Sequence, residues 1–172
     1  AAAWVLPVPY VATTSYGANT REGPAAFFAA SRQVEIFDRE FGCDACDQYG
    51  IHTLPPLAPD HRSPEIMAES VAEAVLALFS GRRKPKVLAI LGGEHSITPG
   101  AIRALARDRN AEAELVAVQI DAHADLRADY EGSAFSHACA ARRLLDHCPV
   151  FQIGIRNLSA GEEKFRKGSK RV

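Results

Sequence analysis

Short apolar runs alternate with amphipathic stretches along almost the whole chain, which predicts strands interleaved with helices rather than separated all-α and all-β parts. An opening strand is expected over 4–8. After the turn-rich segment 13–17 a helix fits 23–31, where Pro24 suits the first turn because a missing N–H costs nothing there. A second strand fits 33–37. Residues 38–62 are rich in Gly, Pro, Asp and Cys and exceed the usual limit of about 12 to 15 residues for an unstructured connection. They read as a functional or interface loop, or as cover for a short strand.

The clearest helix follows. Ser63 can cap it, Pro64 fits its first position and Gly81 suits its stop. Met67, Val71, Ala74, Val75, Leu78 and Phe79 recur at spacings of three and four, an apolar stripe that belongs against a core. Strands over 86–91, 115–120 and 150–155 and helices over 99–107, 137–145 and 160–167 complete the alternation. The pattern predicts a single domain over 1–172 in the α/β class, a three-layer α/β/α arrangement around a mainly parallel sheet.

Composition narrows the partners. The 172 residues are 47% hydrophobic, enough to fill a core, and 20 Lys+Arg stand against 21 Asp+Glu for a net charge of -1. That balance offers no electrostatic footprint for nucleic acid or an anionic membrane, and no run is long enough to span a bilayer. A small polar substrate and a cytoplasmic location are expected. Cys43, Cys46, Cys139 and Cys148 read as reduced thiols. Cys43 and Cys46 form a C-x-x-C that lacks a second pair for zinc, lies among loop residues, and reads as incidental.

Two polar clusters directly follow apolar strands: Gly92-Gly93-Glu94-His95-Ser96 and Asp121-Ala122-His123-Ala124-Asp125. In an open α/β sheet the carboxyl ends of the strands form the ligand-binding rim, so both clusters are expected there. In an extended chain, side chains at i, i+2 and i+4 share a face, which would converge Asp121, His123 and Asp125. The paired glycines would let the chain turn sharply and bring His95 close. Two carboxylates and two imidazoles without a thiolate suit Mn²⁺, Fe²⁺, Co²⁺ or Zn²⁺. Clustered anions without a cation would cost several kcal/mol in repulsion and desolvation, so a metal site is expected.

GGEHS at 92–96 together with DAHAD at 121–125 resembles the ureohydrolases, the family that includes arginase and agmatinase. Supporting resemblance runs through Thr13-Thr14-Ser15-Tyr16, Thr20-Arg21-Glu22-Gly23-Pro24, Tyr130-Glu131-Gly132, Ser136-His137-Ala138 and Ile153-Gly154-Ile155-Arg156. These pieces look more like agmatinase, and Leu126-Arg127 stands where arginases carry an asparagine that helps hold the amino-acid end of arginine.

The resemblance implies an arginase-like fold and two Mn²⁺ per complete site. It makes His95 a ligand of one ion, His123 of the other, Asp121 a bridging carboxylate, and Asp125 both a ligand and a proton acceptor. His137 would shuttle a proton or contact substrate, and Glu94 would orient a ligand or water from behind. The implied reaction is hydrolysis of a guanidino compound, best matched by agmatine going to putrescine and urea, in a homotrimer or homohexamer. A guanidino-acid hydrolase or formiminoglutamase is the nearest alternative. A noncatalytic metal-binding or oligomerisation module is the alternative of another class, and a nucleotide-binding domain is disfavoured because neither G-x-G-x-x-G nor a P-loop lysine is present.

The family's third metal motif, Asp-x-Asp, has no counterpart after Arg156. Two dications about 3.5 Å apart repel by on the order of 20 kcal/mol at an effective dielectric of 20, and Asp121 and Asp125 balance only part of four positive charges. The expectation is the N-terminal part of a longer enzyme, with an incomplete sheet, exposed apolar faces, and little or no activity by itself.

Overall fold

The computed structural model describes residues 1–108 and 115–172. In chain order it contains β1 (Ala3–Val8), α1 (Gly23–Ser31), β2 (Phe37–Asp38), β3 (Cys43–Asp44), α2 (Ala45–Tyr49), β4 (Ile51–Thr53), α3 (Pro64–Ser80), β5 (Val87–Gly92), α4 (Thr98–Asp108), β6 (Ala117–Ile120), α5 (Ala140–Leu144), β7 (Val150–Ile153) and α6 (Ala160–Gly168). This is the expected α/β alternation.

β1 is the middle strand of a parallel sheet ordered β4-β1-β5. It runs beside β5 in register from Ala3↔Val87 to Val8↔Gly92 and beside β4 from Ala3↔Ile51 to Val5↔Thr53. β6 and β7 form a second parallel pair, from Ala117↔Val150 to Ile120↔Ile153. β1, β5, β6 and β7 bear out their expected positions to within three residues at either end.

The strand expected over 33–37 does not form as such. Val34 and Ile36 are exposed, so no buried face rewards an extended chain there. Only Phe37 and Asp38 pair, antiparallel to Cys43 and Asp44, and the Asp38 carboxylate closes the turn by accepting from the amides of Glu40 and Phe41. The segment 38–62 does conceal a strand, β4, and also the short helix α2. Cys43 and Cys46 therefore straddle a strand-to-helix junction, not a loop.

α3 forms as its sequence dictates. Ser63 Oγ accepts from the amide of Ile66 at 3.1 Å, Pro64 takes the first position, and Met67, Ala68, Val71, Ala72 and Val75 are buried. Met67, Val71, Ala72 and Val75 pack with Leu6, Val8, Tyr10 and Ile97 into one core cluster, each large apolar side chain contributing about 1.5–3 kcal/mol. α4 crosses α3 closely because Gly100 lacks a Cβ, which would stand 2.1 Å from the Ala68 carbonyl oxygen. A second cluster, built on Ala117, Leu126, Leu144, Leu145 and Val150, supports β6 and β7 from one side. Their other face is open, with Val118, Ile120, Phe151 and Ile153 exposed, so the expected exposed apolar face lies here. Among the described residues no helix is long and apolar enough to cross a membrane.

Candidate metal centre and active site

Two strand ends aim the candidate ligands at one cleft. β5 stops at Gly92, and Gly93 passes so near the exit of β1 that a Cβ would lie 1.9 Å from the Tyr10 carbonyl oxygen. The glycine is required by this close approach and not by a left-handed turn, since neither Gly92 nor Gly93 has a positive φ. His95 then opens a single 3-10 turn ahead of α4.

β6 ends at Ile120, and the next five residues do not continue as a strand. Asp121 Oδ1 accepts from the amide of His123 at 2.9 Å, and Asp125 is left-handed at φ 51. Aspartate is among the few non-glycine residues that enter this region readily. The shared extended face expected for Asp121, His123 and Asp125 is therefore replaced by a turn. The turn still brings Asp121 and Asp125 to His95, but it leaves the His123 side chain 62% exposed at the cleft edge. The loop is fixed from the far side, where the Ala122 carbonyl accepts from the amides of Arg156 and Asn157, and the Asn157 carbonyl from the amide of Ala124.

One nitrogen and two carboxylate oxygens result, from His95, Asp121 and Asp125, all within 4.8 Å of one another. His95 Nδ1 lies 2.7 Å from Asp125 Oδ2 and 3.7 Å from Asp121 Oδ2. Asp121 divides its oxygens: Oδ2 faces His95, and Oδ1 is 3.6 Å from His123 Nδ1. Burial pushes the Asp121 carboxyl up, but hydrogen bonds from the His123 amide and Gln119 and the nearby His95 outweigh it and hold it below the ordinary carboxylate range. Asp125 is buried, so its charge needs a partner. This mixed nitrogen and carboxylate set fits a borderline-hard divalent ion such as manganese.

Beneath the loop, Gln119 Nε2 donates to Asp121 Oδ2 and to the His123 carbonyl, each at 3.3 Å. Its Oε1 accepts from Gln152, its register partner on β7, at 2.7 Å. Neither glutamine belongs to a motif legible in the sequence. The available signal was a buried amide in an apolar strand two positions before Asp121.

Glu94 is placed differently from its expected role behind a ligand. Its carboxylate accepts from the amides of Ala12 and Thr13 at 2.7 and 2.8 Å and from the hydroxyls of Thr13 and Ser96 at 2.7 and 2.5 Å. Burial raises its carboxyl, and these four donors lower it by more. Glu94 thus ties the loop after β1 to the loop after β5. His137 stands at the start of the 3-10 turn preceding α5, its ring edge-on to Tyr130. The helix expected over 137–145 is in fact this turn followed by α5. Opposite, Glu162 completes the capping box of α6 with Ser159 and accepts from the amide of Leu126 at 3.0 Å, which anchors the chain just after Asp125.

A cleft of about 510 Å³ opens over these groups, lined by His95, Asp121, His123, Asp125, Tyr130 and His137 among others. Every residue that the sequence nominated as a ligand, and His137, borders it. Glu94 does not.

This fold and cleft place the chain in a class: the Arginase family model matches residues 1–172, and the chain belongs to that family. An N(1)-aminopropylagmatine ureohydrolase of Synechocystis sp. is 39% identical over 164 residues, covering 94% of this chain and 53% of that protein. The agmatine ureohydrolase of Thermoplasma volcanium superposes with a TM-score of 0.82 at 33% identity, covering 97% of this chain and 55% of that one. The arginase of Medicago truncatula shares the fold, with a TM-score of 0.84 at 22% identity over 97% of this chain and 54% of its own. The chain spans about half the length of the curated relatives it matches.

Proposed function

We propose that this chain carries the metal-holding half of an amidinohydrolase site that cleaves a guanidino compound of the agmatine type into urea and a primary amine. The observation that carries the reading is the convergence of His95, Asp121 and Asp125 within 4.8 Å, in a cleft that His137 also lines. His95 and Asp125 would hold one manganese ion, His123 the second, and the divided oxygens of Asp121 support a bridging role between them. The ions, when bound, would supply a water of lowered pKa, so that a hydroxide nucleophile exists at neutral pH.

The remaining steps belong to side chains. Asp125 takes the proton that the attacking water loses, and His137 relays that proton to the nitrogen that departs as the C–N bond breaks. Tyr130 forms a wall, stiffened by the Arg127 guanidinium 5.1 Å above its ring.

A second reading concerns only the substrate tail. The relative from Synechocystis acts, by its name, on N(1)-aminopropylagmatine, which favours a substrate carrying an aminopropyl extension over agmatine itself. We further infer that the protein works in the cytoplasm as a homotrimer or homohexamer, and that the 172-residue chain alone turns over little substrate, because Asp121 and Asp125 balance only half the charge of two dications.

Urea release by the protein at its full coded length, with manganese, tests these points on agmatine, N(1)-aminopropylagmatine and arginine. One of the first two is expected to exceed arginine in kcat/KM by about 100-fold or more, the scale at which a buried carboxylate without a partner is rejected. Equal or better turnover of arginine contradicts the reading. Substantial urea release by the 172-residue chain alone contradicts the charge argument.

A further inference from the structure

Glu94 and His137 lie far apart in sequence, yet one hydroxyl touches both. We infer that Thr13 is a positioning residue whose hydroxyl, committed as a donor to Glu94, holds His137 in the tautomer protonated on Nδ1 and leaves the Nε2 lone pair facing the cleft. The inference rests on the proposed role of His137 in proton transfer and adds what sets the ring for it.

A threonine hydroxyl has one proton to give. The Glu94 carboxylate is surrounded by donors: the Ala12 and Thr13 amides reach Oε2, and the Ser96 and Thr13 hydroxyls reach Oε1. Amides can only donate, and hydroxyl contacts of 2.5 and 2.7 Å are those of O–H groups on an anionic oxygen. The Thr13 proton therefore points at Glu94.

What remains on Thr13 Oγ1 is acceptor capacity, and two nitrogens of His137 approach it. The backbone amide donates at 2.9 Å, and the ring Nδ1 stands at 3.1 Å. If Nδ1 carries the proton, this second contact is a hydrogen bond. If it does not, two lone pairs face each other across 3.1 Å in a part-buried site. The one other hydroxyl at Nδ1, Ser136 Oγ, is more distant at 3.3 Å.

With Nδ1 protonated, Nε2 is the nitrogen that exchanges protons. It faces the hydroxyl of Ser15 at 3.4 Å, which in turn lies 3.3 Å from the Tyr130 hydroxyl. In the proposed reaction Nε2 takes up, through water in the cleft, the proton that Asp125 has accepted, gives it to the departing nitrogen, and returns to the same neutral tautomer. The tautomer is set by the bond that the other nitrogen makes. Glu94 acts on His137 only through Thr13, which gives a role to a buried carboxylate that follows β5 beside a candidate ligand yet does not line the cleft.

The tautomer can be read directly. Ring ¹⁵N–¹H correlation spectra would be recorded on histidine-labelled protein of full coded length, loaded with diamagnetic zinc, at a pH where the ring is neutral, with His137→Asn used for assignment. The expected result is a protonated Nδ1 and an unprotonated Nε2 in the parent and in Thr13→Ser. In Thr13→Val the ring should move toward the Nε2-protonated form, and in the manganese enzyme kcat should fall about tenfold with KM little changed, while Thr13→Ser retains kcat. An Nε2-protonated ring in the parent overturns the inference by itself, even if Thr13→Val does not fold. An unchanged tautomer in a folded Thr13→Val also overturns it. Full urea release by His137→Asn would instead remove the catalytic reading of His137 and leave the tautomer assignment standing.

Discussion

Asn in place of Asp125 is expected to lower kcat/KM for urea release by a factor on the order of 10³ in the protein at its full coded length, a loss of about 4 kcal/mol of transition-state stabilisation. The substitution is chosen because it separates charge from shape. Asn occupies nearly the same volume and, like Asp, accepts the left-handed backbone that this position requires at φ 51, so the turn after β6 survives. What disappears is one of two anionic donors beside His95, at an oxygen 2.7 Å from Nδ1. The amide that replaces it presents either a weaker neutral oxygen or an N–H that repels a cation. Circular dichroism and the thermal midpoint should stay close to the parent while manganese affinity and turnover fall together. Near-parental turnover would show that this carboxylate has no part in the machinery.

Gly93→Ala should be nearly as damaging for a different reason. Its Cβ would stand 1.9 Å from the Tyr10 carbonyl oxygen and 2.9 Å from the Tyr10 carbonyl carbon, where backbone and not a flexible side chain must move. Tyr10 is fully buried, and its carbonyl accepts from the Glu94 amide at 3.1 Å, so the two strand exits cannot separate without breaking the link between them. The expected cost is about 3 kcal/mol of stability, at the upper end for overpacking. The same displacement shifts His95 and the Glu94 anchor of Thr13, and a misplacement of about 1 Å can cost on the order of 10²-fold in rate. Denaturant midpoints and urea release read the two effects separately. A variant with parental stability and activity would mean that the strand exits relax freely.

The contrast between these two sites shows what the sequence could and could not reveal. α3 was legible because its cap, its first-turn proline and its apolar stripe all act within a few residues of one another. The positions of His95, Asp121 and Asp125 at strand ends were legible for the same reason, each following an apolar strand directly. Their geometry was not. Alternation along an extended chain placed Asp121, His123 and Asp125 on one face, whereas a hydrogen bond from the His123 amide to Asp121 and a left-handed Asp125 fold the segment into a turn. The segment 33–37 looked like a strand in composition, but strand formation depends on a face to bury, and that depends on residues elsewhere.

The contacts of Thr13 with Glu94 and His137, of Gln119 with Gln152, and of Glu162 with Leu126 are not legible in the sequence because they span long sequence separations. Thr13 meets Glu94 and His137 more than 80 residues away, and Glu162 reaches back to Leu126. No local pattern encodes such pairs. The C-x-x-C likewise looked like loop sequence, because a two-residue strand and a five-residue helix are too short to leave a periodic signal.

The central claim is that the cluster of His95, Asp121 and Asp125 serves a metal-assisted guanidino hydrolysis. The most direct test is urea release by the protein at its full coded length after a chelator has removed its metal, followed through a manganese titration with whichever of agmatine or N(1)-aminopropylagmatine it prefers. The stripped protein is expected to give background urea release that recovers as manganese is restored. Undiminished urea release from protein shown by elemental analysis to contain no metal would rule out metal-assisted hydrolysis at this cluster.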